Sequence, residues 1–146
     1  MNTQPDPVPV ASALHKSVAF YVRRLRQAPV QDVVSEPEMN ALARLDEAGP
    51  STPSALARAE LMTPQAMGAT VSDLVRRGLA ERHPDPDDGR LTIVSLTEAG
   101  REVVRSKQSA RIRQLSGVLS ERFTSEELQV LLAAAPLIER LGQGLR

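Results

Sequence analysis

The stretch LAERHPDPDDGRLTIVSLTEAG, from Leu79 to Gly100, gathers the residues most able to do chemistry: Asp85, Asp87 and Asp88 crowd a turn with two prolines and a glycine, and Arg90 closes it. Three neighbouring carboxylates could hold a divalent cation, but they lack the roughly twelve-residue ligand spacing and downstream Glu of an EF-hand loop, and Pro86 interrupts them. The alternative is an acidic turn that aims a single cation. Elsewhere the inventory excludes more than it offers. There is no cysteine, so disulfides, thiolate metal sites, cysteine nucleophiles and thiol redox sensing are out. His15 and His83 are the only histidines, too few for a His-rich zinc centre. No glycine-rich phosphate loop and no nucleophile with an ordered base occurs, so the expectation is a protein that is not an enzyme and needs no metal or other cofactor.

The elements that position this turn are legible on both sides of it. With 146 residues, 41% apolar but only 2% aromatic, the chain suits one domain with a core of Leu, Val, Ile, Ala and Met, the composition of packed helices. VASALHKSVAFYVRRLRQ, residues 10–27, sets Leu14, Val18, Tyr21, Val22 and Leu25 on one helical stripe. APVQDVVSEPE then connects, with Ser35 as N-cap and Pro37 in the first turn of a helix whose apolar positions are Met39, Leu42 and Leu45 and whose end is Gly49. Thr52-Pro53 and Thr63-Pro64 repeat the cap-and-proline signature, giving a short helix with Leu56 inward and a longer one with Met67, Val71, Leu74 and Val75 inward, stopped by Gly78. LAERH and LTIVSL read as two strands about the PDPDDG turn. Thr97 caps a long helix with Val103, Val104, Ile112, Leu115, Val118 and Leu119 on its ridge, in which Gly100 and Gly117 count as imperfections costing about 1 kcal/mol each. At 1.5 Å per residue, roughly 25 residues would span ~38 Å. A last helix, SEELQVLLAAAPLIERLGQGLR, is strongly apolar through Leu128, Leu131, Leu132, Leu137, Ile138 and Leu141 and is expected to be interrupted at Pro136.

A short helix, a turn, a longer helix and a hairpin make a winged helix-turn-helix, in a mostly α fold with a small β-hairpin wing. The longer helix suits the major groove of double-stranded DNA. If Met67, Val71 and Leu74 face inward, the 100° step turns Gln65, Ala69, Ser72 and Arg76 outward with Ala66 beside them. Gln65 could read adenine, and Ala66 or Ala69 could pack on a thymine methyl. The caps Thr52 and Thr63, with Ser54 next to the first, mark helix starts that favour phosphate.

LVRRGLAERHPDPDDGRLTIVSLTEAGREV, with the helix-turn-helix before it, resembles the MarR (multiple antibiotic resistance regulator) family of bacterial transcription factors, whose members carry an acidic residue two before a wing arginine and an L-T-x-x-G start to the next helix. The resemblance covers the chain in order, as a single domain over 1–146: dimerisation helices within 10–34 and 101–146 flank a DNA-binding lobe over 35–100, with the recognition helix near 63–77 and the wing near 79–96. It implies that Arg90 enters the minor groove or grips its phosphates while Asp88 holds the guanidinium. It further implies a homodimer on a pseudo-palindromic operator, repression as the usual mode, and release by a small aromatic or phenolic effector, for which His15, Phe20, Tyr21 and Arg24 are the candidate contacts.

Charge sets a condition on this reading. Eighteen basic and eighteen acidic residues leave no net charge. From Ser51 to Arg101, Arg58, Arg76, Arg77, Arg82, Arg90 and Arg101 face Glu60, Asp73, Glu81, Asp85, Asp87, Asp88 and Glu98, so the lobe is not basic and DNA affinity must rest on the placement of a few arginines. The rival reading is a winged-helix protein-interaction module that binds no DNA. No signal-peptide pattern and no membrane-length apolar run occurs, so the expected location is the cytoplasm.

Overall fold

The computed structural model describes residues 4–28 and 33–145. In order, these form α1 (Pro7–Gln27), α2 (Glu36–Ala48), α3 (Pro53–Ala59), α4 (Pro64–Arg76), β1 (Ala80–Pro84), β2 (Thr92–Leu96), α5 (Glu98–Arg122) and α6 (Ser125–Gly144). The chain divides into two compact units, one holding α1 and the other everything from α2 onward. Most of the connection between α1 and α2, residues 29–32, lies outside the described residues.

Each helix begins where a side chain can satisfy its free N–H groups. Asp6, Ser35, Thr52, Thr63, Thr97 and Thr124 all accept a backbone N–H of the first turn, and in α2 and α6 Glu38 and Glu127 return the bond to complete a capping box. α1 starts three residues earlier than its apolar stripe suggests. Pro7 and Pro9 occupy the first turn, where a missing N–H costs nothing, and the Asp6 carboxylate caps Val8 N at 3.0 Å. α6 corrects a second expectation, since it passes through Pro136 without ending. Proline removes one bond and crowds the carbonyl four residues back, and here the neighbours Ala133, Ala134 and Ala135 present only methyl groups to the distortion.

The core of the second unit is built where α2, α3, α4 and the hairpin meet. Leu42, Leu56, Met67, Val71, Leu74 and Val94 are fully buried, and Val104 joins them from the start of α5. Burying each such side chain stabilises by about 1.5–3 kcal/mol, enough to fix the rotation of α4 about its own axis. β1 and β2 pair antiparallel, Ala80 opposite Leu96 through Pro84 opposite Thr92. A third segment joins them: Ser51 N donates to Val94 O at 3.0 Å and Val94 N to Ser51 O at 2.8 Å, so the linker before α3 is stitched to the wing.

Gly100 is not an imperfection. A Cβ there would sit inside van der Waals distance of the Leu79 carbonyl oxygen, because α5 starts pressed against the residues leading into β1. Thr97 completes that junction: its Oγ1 donates to Gly78 O at 2.6 Å and its N–H to Leu79 O at 3.2 Å. The Leu-Thr-x-x-Gly spacing is therefore a packing device that fixes α5 to the base of the wing.

Candidate nucleic-acid interface

α4 presents its outer face because its inner face is fixed. With Met67, Thr70, Val71 and Leu74 buried, Gln65, Ala66, Ala69, Ser72 and Arg76 are exposed, the stripe expected from the helical step. The Thr63 hydroxyl accepts Ala66 N at 3.1 Å, and Thr70 Oγ1 donates back to Ala66 O at 3.0 Å. At the start of α3, Thr52 is half-buried and accepts Ala55 N at 3.1 Å, while Ser54 is exposed. Between the two helices the chain reverses through Leu61, whose φ of 53° is the left-handed conformation and whose side chain is 95% exposed.

The wing turn is organised by its own carboxylates. Asp85 Oδ1 accepts the N–H groups of Asp87 (2.7 Å) and Asp88 (3.3 Å), and Asp85 N donates to Leu91 O at 3.0 Å. Asp88 then holds Arg90 three times: its Oδ1 accepts Arg90 N and Nε, both at 3.1 Å, and its Oδ2 accepts Nη2 at 3.3 Å. The Arg90 side chain is nonetheless 92% exposed, a guanidinium oriented by its base and offered to solvent at the wing tip. The same contacts keep the Asp88 carboxyl below its ordinary pKa, the side-chain hydrogen bond from Arg90 first and that from the Arg90 backbone second. Among the described residues no group of three His, Cys, Asp or Glu side chains is arranged to hold a metal ion.

The arginines of the lobe divide by partner. Arg76 pairs with Asp73 on α4, Arg101 with Glu98 on α5, and Arg90 with Asp88. Arg77 is structural: it pairs with Glu38 of α2 at 2.9 Å and donates to Val33 O, bracing the end of α4 against the start of α2. Arg44 and Glu60, 3.0 Å apart, tie α2 to the end of α3 in the same way. Arg58 and Arg82 have no carboxylate partner among the described residues. Arg82 Nη2 instead donates to Ser72 Oγ on the outer stripe of α4, at 2.9 Å. The residue types alone did not disclose this link between wing and recognition helix, although Arg82 does stand at an inward position of the strand alternation, directly opposite Val94.

The four candidate effector contacts all lie on α1. His15, Phe20, Tyr21 and Arg24 are exposed there, Arg24 bonds Gln27 at 3.1 Å, and Phe20 carries the Arg23 guanidinium 5.6 Å above its ring. Arg23 thus adds a charged group beside Phe20.

A family model described as the MarR family matches residues 34–91, from the start of α2 through the wing turn. The HTH-type transcriptional regulator ML2140 of Mycobacterium leprae is 35% identical over 132 residues, covering 90% of this chain and 92% of the relative. Among solved structures, one from Pseudomonas aeruginosa PA01 superposes with a TM-score of 0.83 at 31% identity, covering 97% of this chain and all of that one. A mutant MarR from E. coli complexed with operator DNA shares the fold, with a TM-score of 0.57 at 22% identity over 92% of this chain and 94% of that one. No helix among the described residues is long and apolar enough to cross a membrane. Identity at this level along nearly the full length of both chains, with the family match falling on the helix-turn-helix and wing, means that the chain belongs to the MarR family of transcriptional regulators.

Proposed function

We propose that this chain binds double-stranded DNA sequence-specifically as a homodimer, one recognition helix to each half of a pseudo-palindromic operator, and so represses transcription. The observation that carries the reading is the pairing of two presented elements on one lobe: an outward stripe of Gln65, Ala66, Ala69, Ser72 and Arg76, and a wing-tip Arg90 oriented by Asp88. The first suits a major groove, where Gln can read adenine and Ala can meet a thymine methyl. The second suits a narrow minor groove, whose negative potential favours an inserted Arg. Thr52, Ser54 and Thr63 at the helix starts would position the lobe on phosphates without reading sequence. An effector that altered the spacing of the two recognition helices would relieve repression, and His15, Phe20, Tyr21 and Arg24 of α1 are the residues to test for it.

The test is binding of the purified protein to DNA flanking its own gene, against scrambled DNA, at two salt concentrations. The expected result is a preference for the flanking DNA that weakens with salt, and an Arg90→Ala variant that melts like the parent yet binds that DNA more weakly. Equal affinity in the variant overturns the wing assignment. A protein contact indifferent to DNA, with no DNA preference, would establish the interaction-module reading instead.

A further inference from the structure

Among the arginines between Ser51 and Arg101, Arg82 shares with Arg58 the lack of a carboxylate partner among the described residues, and differs from the rest in being held by a neutral side chain. Arg76, Arg77, Arg90 and Arg101 each face a carboxylate that offsets their charge. Arg82 is held by a neutral hydroxyl, Ser72 Oγ, so its full charge is retained while its head is kept in place. The register explains the placement. Side chains directly opposite in an antiparallel pair share a face, and Arg82 lies opposite Val94, which is fully buried, next to the buried pair Ala80 and Leu96 on the same face. Its stem therefore starts on the lobe side of the hairpin, and its guanidinium emerges in solvent against the outer stripe of α4. One of five N–H donors is engaged by Ser72 and the fork is otherwise available.

We propose that Arg82 is a phosphate-binding residue at the junction of recognition helix and wing, gripping the DNA backbone where it passes from the major groove to the adjacent minor groove, and that Ser72 is its positioning residue rather than a base reader. The proposal rests on the DNA-binding reading above and deepens it. With six arginines against seven acids between Ser51 and Arg101, a cation free of any carboxylate contributes disproportionately to attraction for phosphate. Its position between the two presented elements also means that one contact fixes their angle on the duplex. A phosphate contact carries no sequence information, so its loss has a signature of its own.

The experiment measures fluorescence anisotropy of labelled duplexes, one from the region flanking the gene and one scrambled, across a salt series. The proteins are the full-length parent, Arg82→Gln, Arg82→Lys, Ser72→Ala and the double variant Ser72→Ala/Arg82→Gln, each checked by thermal melting. For Arg82→Gln the expected result is an equal fold-loss on both duplexes and a salt slope shallower by about 0.9 for each protomer bound. Arg82→Lys keeps the slope, because the charge remains. Ser72→Ala loses several-fold in affinity on both duplexes without altering their ratio, and the double variant is no weaker than Arg82→Gln alone. A salt slope in Arg82→Gln equal to the parent's overturns the proposal, as does a Ser72→Ala variant that loses preference between the duplexes. If the parent itself shows no salt-dependent DNA binding, the DNA-binding reading falls and this proposal with it; a parent that binds beside an Arg82→Gln variant of unchanged slope removes the proposal alone.

Discussion

Arg90 shows how little sequence is needed to aim a cation. Its partner stands two residues earlier, so the turn that brings the backbone round also brings Asp88 Oδ1 to the Arg90 N–H and Nε together. Arg90 is exposed and Asp88 half-buried at the wing tip, and the pair acts by orientation more than by stability. The Asp88 pKa is lowered in the folded chain, first by the Arg90 side chain and then by the Arg90 backbone, so whatever the clamp stabilises is present above the ordinary carboxylate range and is lost only as pH falls through the lowered value. The expected outcome, read by carbon-detected NMR titration of the Asp88 carboxyl, is a low titration in the parent that rises toward the ordinary range in Arg90→Ala, which loses the side-chain bonds but keeps the backbone one. Identical titrations in the two proteins would mean the clamp does not form in solution. Near neutral pH, this pair gives wing orientation no pH dependence. The Asp88–Arg90 clamp was legible because both partners lie in one short turn. The Arg82–Ser72 contact was not, since the two are ten residues apart and meet only once the hairpin has settled on α4.

At the scale of elements, two glycines of α5 separate what a residue costs from what it permits. Both break a helix by propensity. Gly100 allows the helix to approach the Leu79 carbonyl, whereas Gly117 has nothing within 4 Å of where its Cβ would stand. Gly100→Ala must therefore displace backbone, and the expected loss is about 1–3 kcal/mol, with Thr97 and its bonds to Gly78 and Leu79 disturbed. Gly117→Ala should gain about 0.5–1 kcal/mol from reduced chain entropy. Chemical denaturation of the two variants checks the pair, and a Gly100→Ala chain as stable as the parent would show that the junction can relax. Helix starts were readable from Thr-Pro and Ser-x-Pro signatures because a cap is a local event, and the inward stripes of α2 and α4 followed from period alone. What escaped was decided by approach between elements or by tolerance within one. The Ser51–Val94 bridge and the Gly100 contact require knowing which backbones meet. The beginning of α1 at Pro7 and the passage of α6 through Pro136 show proline accommodated by a capped first turn and by alanine neighbours.

For the molecule as a whole, the question is what covers α6. None of its residues is buried, and Val130, Leu131, Leu132, Leu137, Ile138 and Leu141 are exposed, Leu132 at 77%; Ile112 and Val118 on the second half of α5 are exposed as well. So many large apolar side chains on α6 and the end of α5 are more than a soluble monomer ordinarily leaves in water. A 20-residue helix is about 30 Å long, enough to supply the roughly 800 Å² per partner of a specific interface. The proposed function asks for the same thing, because a segment with six bases against seven acids between Ser51 and Arg101 gains affinity by binding twice, and paired recognition helices must be held about one DNA turn apart. Since α6 contributes nothing to the buried core of Leu42, Leu56, Met67 and Leu74, its outer face can be changed without unfolding the lobe. Leu132→Glu should therefore leave helical circular dichroism intact, halve the mass seen by sedimentation, and sharply weaken binding to DNA flanking the gene while leaving the weaker, salt-dependent binding of each lobe. A parent that sediments as a monomer, or a Leu132→Glu/Leu137→Glu variant that still sediments as a dimer, would place the covering of this face within the chain itself and remove α6 from the assembly.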